Sequence, residues 1–236
     1  MLRAETLEIS DRRLKLELRL AQMGEVEGCR EDFLKYVRKV WPEFITGAHH
    51  RMVAKKFEAI ATGENKRLII NMPPRHTKSE FASYLLPSWI IGREPRTKII
   101  QTTHTAELAV NFGRKVRNLI DSTEYQNIFD GVSLQADSKA AGRWSTNHGG
   151  EYFAAGVGGA ITGRGADLLI IDDPHSEQDA LSETAMDHAY EWYTSGPRQR
   201  LQPGGAIVIV MTRWSLRDLT AKVIKAQGYA ENAEHW

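Results

Sequence analysis

Cysteine is almost missing from this chain: Cys29 stands alone among 236 residues. No intrachain disulfide framework can form, and a reducing, intracellular setting is expected. Long apolar runs are missing too. Nothing approaches the ~20 residues that span a bilayer, and the charged N-terminus has no signal-like apolar stretch. A soluble, cytoplasmic chain without a membrane partner is expected. Neither sign of charge dominates: 31 Lys and Arg stand against 30 Asp and Glu, a formal net charge of +1. That balance does not advertise a nucleic-acid binder, although it leaves room for a local basic patch. No internal repeat or low-complexity tract is found. What is present is 42% hydrophobic residues, enough for one sizeable core, with one α/β domain as the default.

Residues 1–25 are charged and Leu-rich. Leu14, Leu16, Leu18 and Leu20 alternate at a strand period, but the residue types are strong helix formers, so a helix is expected. Residues 29–41 and 49–61 read as two further helices, the first ended by Pro42 and the second followed by Gly63. Then the pattern changes. Short apolar runs at 68–72, 98–101, 167–172 and 206–211 read as buried strands. Helical stretches follow them to about Ile91, over 105–121, over 180–195 and over 215–227. Apolar strands alternating with amphipathic helices predict a mostly parallel sheet with helices on both faces. Residues 122–166 are Gly-rich and irregular, which in a compact domain marks a functional stretch or hidden short strands; 151–155 is one candidate.

The junction Met72-Pro73-Pro74-Arg75-His76-Thr77-Lys78-Ser79 joins a buried strand to a helix. That is the context of a phosphate-binding loop, where backbone N–H groups and a helix N-terminus face phosphate oxygens and a lysine adds a point charge. Pro74, Arg75, His76, Thr77, Lys78 and Ser79 would line it, and the Ser79 hydroxyl would face Mg²⁺. The usual pattern, G-x-x-x-x-G-K-S/T, is broken at both glycines, by Met72 and Thr77. A Lys-Ser pair alone has almost no specificity and reads first as a solvated helix start.

Two further strand ends add weight. Leu169-Ile170-Ile171-Asp172-Asp173 ends in two carboxylates. In P-loop ATPases a strand neighbouring the loop strand ends in an acid that holds the Mg²⁺ shell, and the next carboxylate polarises the attacking water. Asp172 and Asp173 fit those positions, although Asp-Asp-Pro is also a turn signal. Val210-Met211-Thr212-Arg213-Trp214 lies at the end of another apolar strand, where open α/β sheets bind ligands, so Thr212 is a candidate to sense a γ-phosphate, although the segment reads equally as an Arg and a Trp packed over a helix start.

In combination these segments resemble the ATPase domain of the large terminase subunit of tailed bacteriophages. Residues 72–80 look like that family's adapted Walker A. Residues 102–109 resemble the segment after its second strand. Gly158 to His175 look like its glycine-rich approach to Walker B, and 203–207 with 211–214 resemble its coupling motif. The resemblance covers roughly residues 30–228. It implies an additional-strand P-loop NTPase fold of the RecA/helicase type. It also implies ATP and Mg²⁺ as ligands, with Lys78 and Ser79 on the phosphates and metal, Asp172 as the metal-holding aspartate, Asp173 in the catalytic position and Thr212 in the coupling segment. The implied function is an ATPase that drives double-stranded DNA into a procapsid inside the infected bacterial cell. The implied partners are a portal protein and a small terminase subunit, with the motor assembled as a ring; this chain alone is compatible with a monomer. The family's adenine-contacting motif lies upstream, where His49 and His50 fall; the residues themselves read as two histidines near a helix start.

Two departures carry expectations of their own. Thr77 has a β-carbon where the loop favours glycine at positive φ, so a rearranged loop or weak nucleotide binding is expected. Asp173 is one methylene shorter than the more common Glu, a shift on the order of 1.5 Å, which calls for a compensating backbone or slow catalysis. An arginine that meets developing phosphoryl charge is expected as well. Arg75, within the loop, and Arg164, between Gly163 and Gly165, are the candidates, the latter acting on a neighbouring subunit. No carboxylate cluster for two metals follows Trp214. The expected organisation is therefore an N-terminal helical segment, 1–28, and an ATPase domain, 29–236, without a nuclease domain. DNA contact is expected to be directed at phosphates, with Lys139, Arg143 and His148 as candidates. A helicase-like remodelling ATPase and a nucleotide-binding assembly scaffold are the competing functions.

Overall fold

The structure, a computed structural model, describes residues 2–161 and 163–228, and residues 2–11 by their backbone alone. Thr162 of the glycine-rich approach and the stretch 229–236 assigned to the ATPase domain lie outside the described residues. Helix α1 (Leu2–Glu31) runs on past the boundary expected at residue 28. Asp32 then adopts an extended backbone, and its side chain accepts from Lys35 N to start α2 (Phe33–Val40). The expected helix over 29–41 is thus two helices, because a side-chain cap offers Lys35 N–H a partner that the continuing helix would otherwise have to supply. Leu14, Leu16, Leu18 and Leu20 on α1 are 55% to 59% exposed. The end of α1 is different: Cys29 is buried, and its carbonyl accepts from Trp89 Nε1 at 2.9 Å.

After α3 (Ala48–Ala61) comes β1 (Arg67–Asn71). A π-helical turn, Glu80–Leu85, leads into α4 (Leu86–Arg93). Then follow β2 (Lys98–Thr103), α5 (Ala106–Ile120) and α6 (Thr123–Ile128). Three strands come next: β3 (Leu134–Ala140), β4 (Arg143–Thr146) and β5 (Glu151–Gly156). The chain continues through β6 (Ala166–Asp172), α7 (Glu183–Ser195), β7 (Leu201–Met211) and α8 (Leu219–Ala226).

The strands form one sheet in the order β1-β7-β6-β2-β5-β4-β3. The five from β1 to β5 in that order are parallel, and β4 and β3 add an antiparallel edge. This is a mostly parallel α/β sheet with helices on both faces, consistent with the expected P-loop NTPase-like fold. One sequence expectation is corrected here. The acidic strand β6 does not neighbour β1; β7 lies between them and pairs with both. A strand interposed in this way is what the additional-strand arrangement implied by the resemblance calls for.

Strand alternation explains the two layers of core. Leu168, Ile170, Val208 and Val210 face one side, with Phe33, Phe57, Phe81 and Trp89 from α2, α3, the π turn and α4. Leu169, Ile171, Ile207 and Ile209 face the other, with Trp192, Tyr193, Leu219 and Val223 from α7 and α8. Phe33 sits at the centre of an aromatic cluster, its ring 5.4 Å from each of Phe57, Phe81 and Trp89, all edge-on. The irregular stretch expected over 122–166 contains α6, the β3–β4 hairpin and β5. Trp144 of the hairpin stacks on Tyr152 at 4.8 Å and donates Nε1–H to Gly113 O of α5. That glycine lets the hairpin seat closely, since a Cβ there would stand 2.5 Å from Ala141 O.

Candidate phosphate-binding site

The carboxyl ends of β1, β7, β6 and β2 converge on the loop 72–79, the place where open α/β sheets hold ligands. Met72 N still bonds Met211 O at 3.2 Å, so β1 and β7 stay paired up to the loop entrance. Beyond it the backbone turns sharply. Arg75 and Thr77 have φ of 63° and 60°, the left-handed region that residues with a β-carbon avoid. The loop therefore has the backbone character that glycine usually supplies, despite Thr77. Thr77 O accepts from Phe81 N at 2.9 Å, and the chain enters the π turn. Such turns recur at functional positions within helices.

Lys78 is buried, and its Nζ stands 2.7 Å from Asp173 Oδ2. The other oxygen of Asp173 accepts from Thr212 N–H at 2.8 Å. Asp173 itself has φ of 40°, and its backbone is pinned on both sides: N–H to Val210 O at 2.9 Å, and carbonyl to His104 N at 3.2 Å. This strained conformation turns the short carboxylate onto Lys78 and Thr212.

Asp172 is fully enclosed. Its oxygens accept from Ser79 Oγ at 2.9 Å and Ser83 Oγ at 2.7 Å, and Ser83 in turn accepts from Gln101 Nε2 at 2.8 Å. Burial pushes the Asp172 carboxyl up to about 7, with the Asp173 charge adding to the rise and the two serines and Lys78 opposing it. Ser79 and Ser83 reach it together because residues four apart share a helical face. An oxygen-only pair made of a hydroxyl and a carboxylate, already in contact, suits a hard divalent cation such as Mg²⁺.

The structure thus gathers Thr77, Lys78, Ser79, Asp172, Asp173 and Thr212 around one point. Pro74, Arg75 and His76 lie on the exposed outer arm of the loop, where His76 Nδ1 bonds Pro74 O at 2.9 Å. Arg164 is elsewhere. Its guanidinium lies 4.0 Å from the Phe153 ring centre, with Glu151 Oε2 at 3.9 Å. Phe153 is level with Ile100 of β2 and Ile100 with Leu169 of β6, so the guanidinium sits two strands across from Asp172 and roughly 10 Å back along the strands at the usual rise per residue. Arg164 therefore does not reach this site within one chain, and Arg75 is the only one of the two arginines beside it. Of the candidates for DNA contact, Lys139 and Arg143 flank the exposed hairpin tip, whereas His148 lies at the other end beside Gly131. The sequence reading missed Ser83, Gln101 and the contact of His50 with Thr77, at 2.5 Å. Only Ser83 carried a signal, its four-residue spacing from Ser79.

No protein-family model matches the chain. The large terminase subunit of Enterobacteria phage T3 is 23% identical over 165 residues, 69% of this chain and 28% of that protein. The crystal structure of the HK97 bacteriophage large terminase superposes with a TM-score of 0.54 at 14% identity, covering 86% of this chain and 42% of that one. The chain thus resembles large terminase subunits in sequence and in fold, and spans less than half the length of either relative. Among the described residues, no helix is long and apolar enough to cross a membrane.

Proposed function

We propose that this chain, similar over most of its length to large terminase subunits, is the ATPase domain of a viral DNA-packaging motor. It would bind Mg²⁺ and ATP at the loop 72–79 and couple hydrolysis to movement of double-stranded DNA into a procapsid. The observation that carries this reading is the joint arrangement of Lys78, Asp173 and Thr212 with Ser79 on Asp172. A degenerate nucleotide-binding scaffold has no use for a second carboxylate held at positive φ against the loop lysine.

Lys78 would leave Asp173 and turn to the β- and γ-phosphates, a movement of only a few ångströms for a flexible four-carbon stem. Ser79 and Asp172 would hold Mg²⁺, which neutralises developing charge on the phosphoryl oxygens. Released from Lys78, Asp173 Oδ2 would accept a proton from the attacking water. Thr212, whose N–H already holds Asp173 Oδ1, would report the state of that carboxylate to β7 and α8. Arg75, exposed on the loop, would meet the γ-phosphate; Arg164 would have a role only towards a neighbouring subunit. Contact with DNA phosphates by Lys139 and Arg143 at the hairpin tip, assembly as a ring on a portal protein, stimulation by a small terminase subunit and residence in the infected cell's cytoplasm all belong to this reading.

Phosphate release by the purified chain, with Lys78→Ala and Asp173→Ala beside it, tests the proposal. Both variants should lose turnover. Wild-type turnover no higher than that of Lys78→Ala would sink the enzyme reading and leave the scaffold. Wild-type turnover by Asp173→Ala would move the catalytic carboxylate elsewhere.

A further inference from the structure

Thr77 holds a backbone conformation that a β-branched residue rarely adopts, φ of 60°, at the loop position directly before the lysine. Something must hold it there. The residue that touches its side chain is His50, 27 positions upstream at the start of α3. His50 Nε2 stands 2.5 Å from Thr77 Oγ1. The proton arrangement follows from the neighbours. Gly47 N–H donates to His50 Nδ1 at 2.8 Å, so that nitrogen is the acceptor and Nε2 carries the hydrogen. Nε2–H therefore donates to Thr77 Oγ1, which donates onward to His76 O at 2.6 Å. Each hydrogen in the chain from Gly47 to His76 has one acceptor, and the last two links close on the loop itself.

The ring is also fixed in space. His50 is 6% exposed. The Phe44 ring lies 4.7 Å away edge-on, Phe81 at 5.0 Å and His49 at 3.8 Å. Burial, with His49 and His76 nearby, holds the imidazole well below its ordinary value, at about 4, so the neutral tautomer persists at neutral pH. Phe81 belongs to the π turn behind the loop, so the same ring touches the loop by its edge and the following helix by its face.

We propose that His50 is a positioning residue of the phosphate loop: it holds Thr77 in the left-handed backbone and so takes the part of the glycine that this loop lacks. The inference rests on the proposed ATP site for its consequence in binding, but not for the contact. Lys78 N–H follows Thr77 directly, so loss of the left-handed turn would swing the backbone donors away from the phosphate position. Glycine at this position would need no such restraint.

A four-variant cycle tests this: wild type, His50→Phe, Thr77→Gly and both together. Phenylalanine keeps the ring against Phe44 and Phe81 while removing the donor. The readouts are affinity for a fluorescent ATP analogue with Mg²⁺ and amide hydrogen exchange of residues 75–79 without nucleotide. With Thr77 in place, His50→Phe should weaken binding about tenfold, the change that corresponds to ~1.4 kcal/mol, and speed exchange in the loop. In the Thr77→Gly background the same replacement should change either readout by no more than about twofold, within the additivity expected of uncoupled sites. His50→Gln, which retains a donor of similar reach, should restore most of the wild-type affinity. Equal losses in both backgrounds would overturn the proposal, because His50 would then act independently of Thr77. Absence of nucleotide binding by the wild type would overturn the ATP reading instead, and the exchange measurements would still decide the role of His50.

Discussion

Replacing Asp173 with asparagine separates binding from catalysis at this site. The replacement keeps an oxygen for Thr212 N–H and suits the left-handed backbone, which asparagine tolerates better than most residues. It removes the charge facing Lys78 at 2.7 Å. At that distance and an effective dielectric constant of about 20, the gross attraction is about 6 kcal/mol. Desolvation of both groups and the partial exposure of Asp173 take back most of it, leaving about 1–2 kcal/mol net. On the proposed reading, ATP would have to break this pair to engage Lys78, so its removal should tighten nucleotide binding about 5- to 30-fold. Loss of repulsion between the carboxylate and the γ-phosphate acts in the same direction. Turnover should fall in the same variant by about 10²- to 10⁴-fold, the usual contribution of a general base. Equilibrium titration with a fluorescent ATP analogue and phosphate release at saturating nucleotide give the two numbers. Unchanged affinity would refute the idea that Asp173 competes for Lys78. Unchanged turnover would refute its place as the catalytic carboxylate.

Asp172 gives a pH dependence. Its folded value, about 7, lies above the ordinary 3.8, so between these the folded chain keeps a proton that the unfolded chain has released. Thermal stability without metal should therefore fall as pH rises through that window, and Asp172→Asn should flatten the profile. Mg²⁺ requires the ionised form, so Mg²⁺-dependent nucleotide affinity should rise with pH through about 7; the same affinity at about pH 6 and about pH 8 would contradict the assignment of Asp172 to the metal. Ser83→Ala removes a donor that lowers the Asp172 value and leaves Gln101 Nε2 without its acceptor. The variant should lose about 1–3 kcal/mol in denaturant unfolding and shift the Mg²⁺ profile to higher pH. Gly113→Ala places a Cβ 2.5 Å from Ala141 O, backbone that has little room to yield. It should cost about 1–3 kcal/mol and lower the melting temperature without altering nucleotide affinity.

What could be read from the sequence was what is local. The loop and the two acidic residues declare themselves by lying where an apolar strand ends. The parallel sheet follows from the alternation of such strands with amphipathic helices. The β3–β4 hairpin escaped because β3 lies at the sheet edge and is mostly exposed, so its residues carry no apolar alternation. The contacts of Asp172 with Ser83 and of His50 with Thr77 bridge 89 and 27 positions of chain. Polar side chains at such separations leave no periodic trace. Arg164 stood out only by its two flanking glycines; the Phe153 ring that holds it belongs to a different strand. The missing loop glycine suggested a rearranged turn, yet Thr77 keeps positive φ because tertiary contacts outweigh the local preference of a β-branched residue.

The proposed chemistry requires nucleotide in the loop around Lys78. Calorimetric titration of a non-hydrolysable ATP analogue into the wild-type chain and into Lys78→Ala, each with and without Mg²⁺, tests it most directly. One site per chain is expected in the wild type, strengthened by Mg²⁺ and weakened at least tenfold in Lys78→Ala, the loss of about 1.4 kcal/mol or more expected when a phosphate loses its charged partner. Equal affinity in the two proteins would place the nucleotide elsewhere and contradict the account.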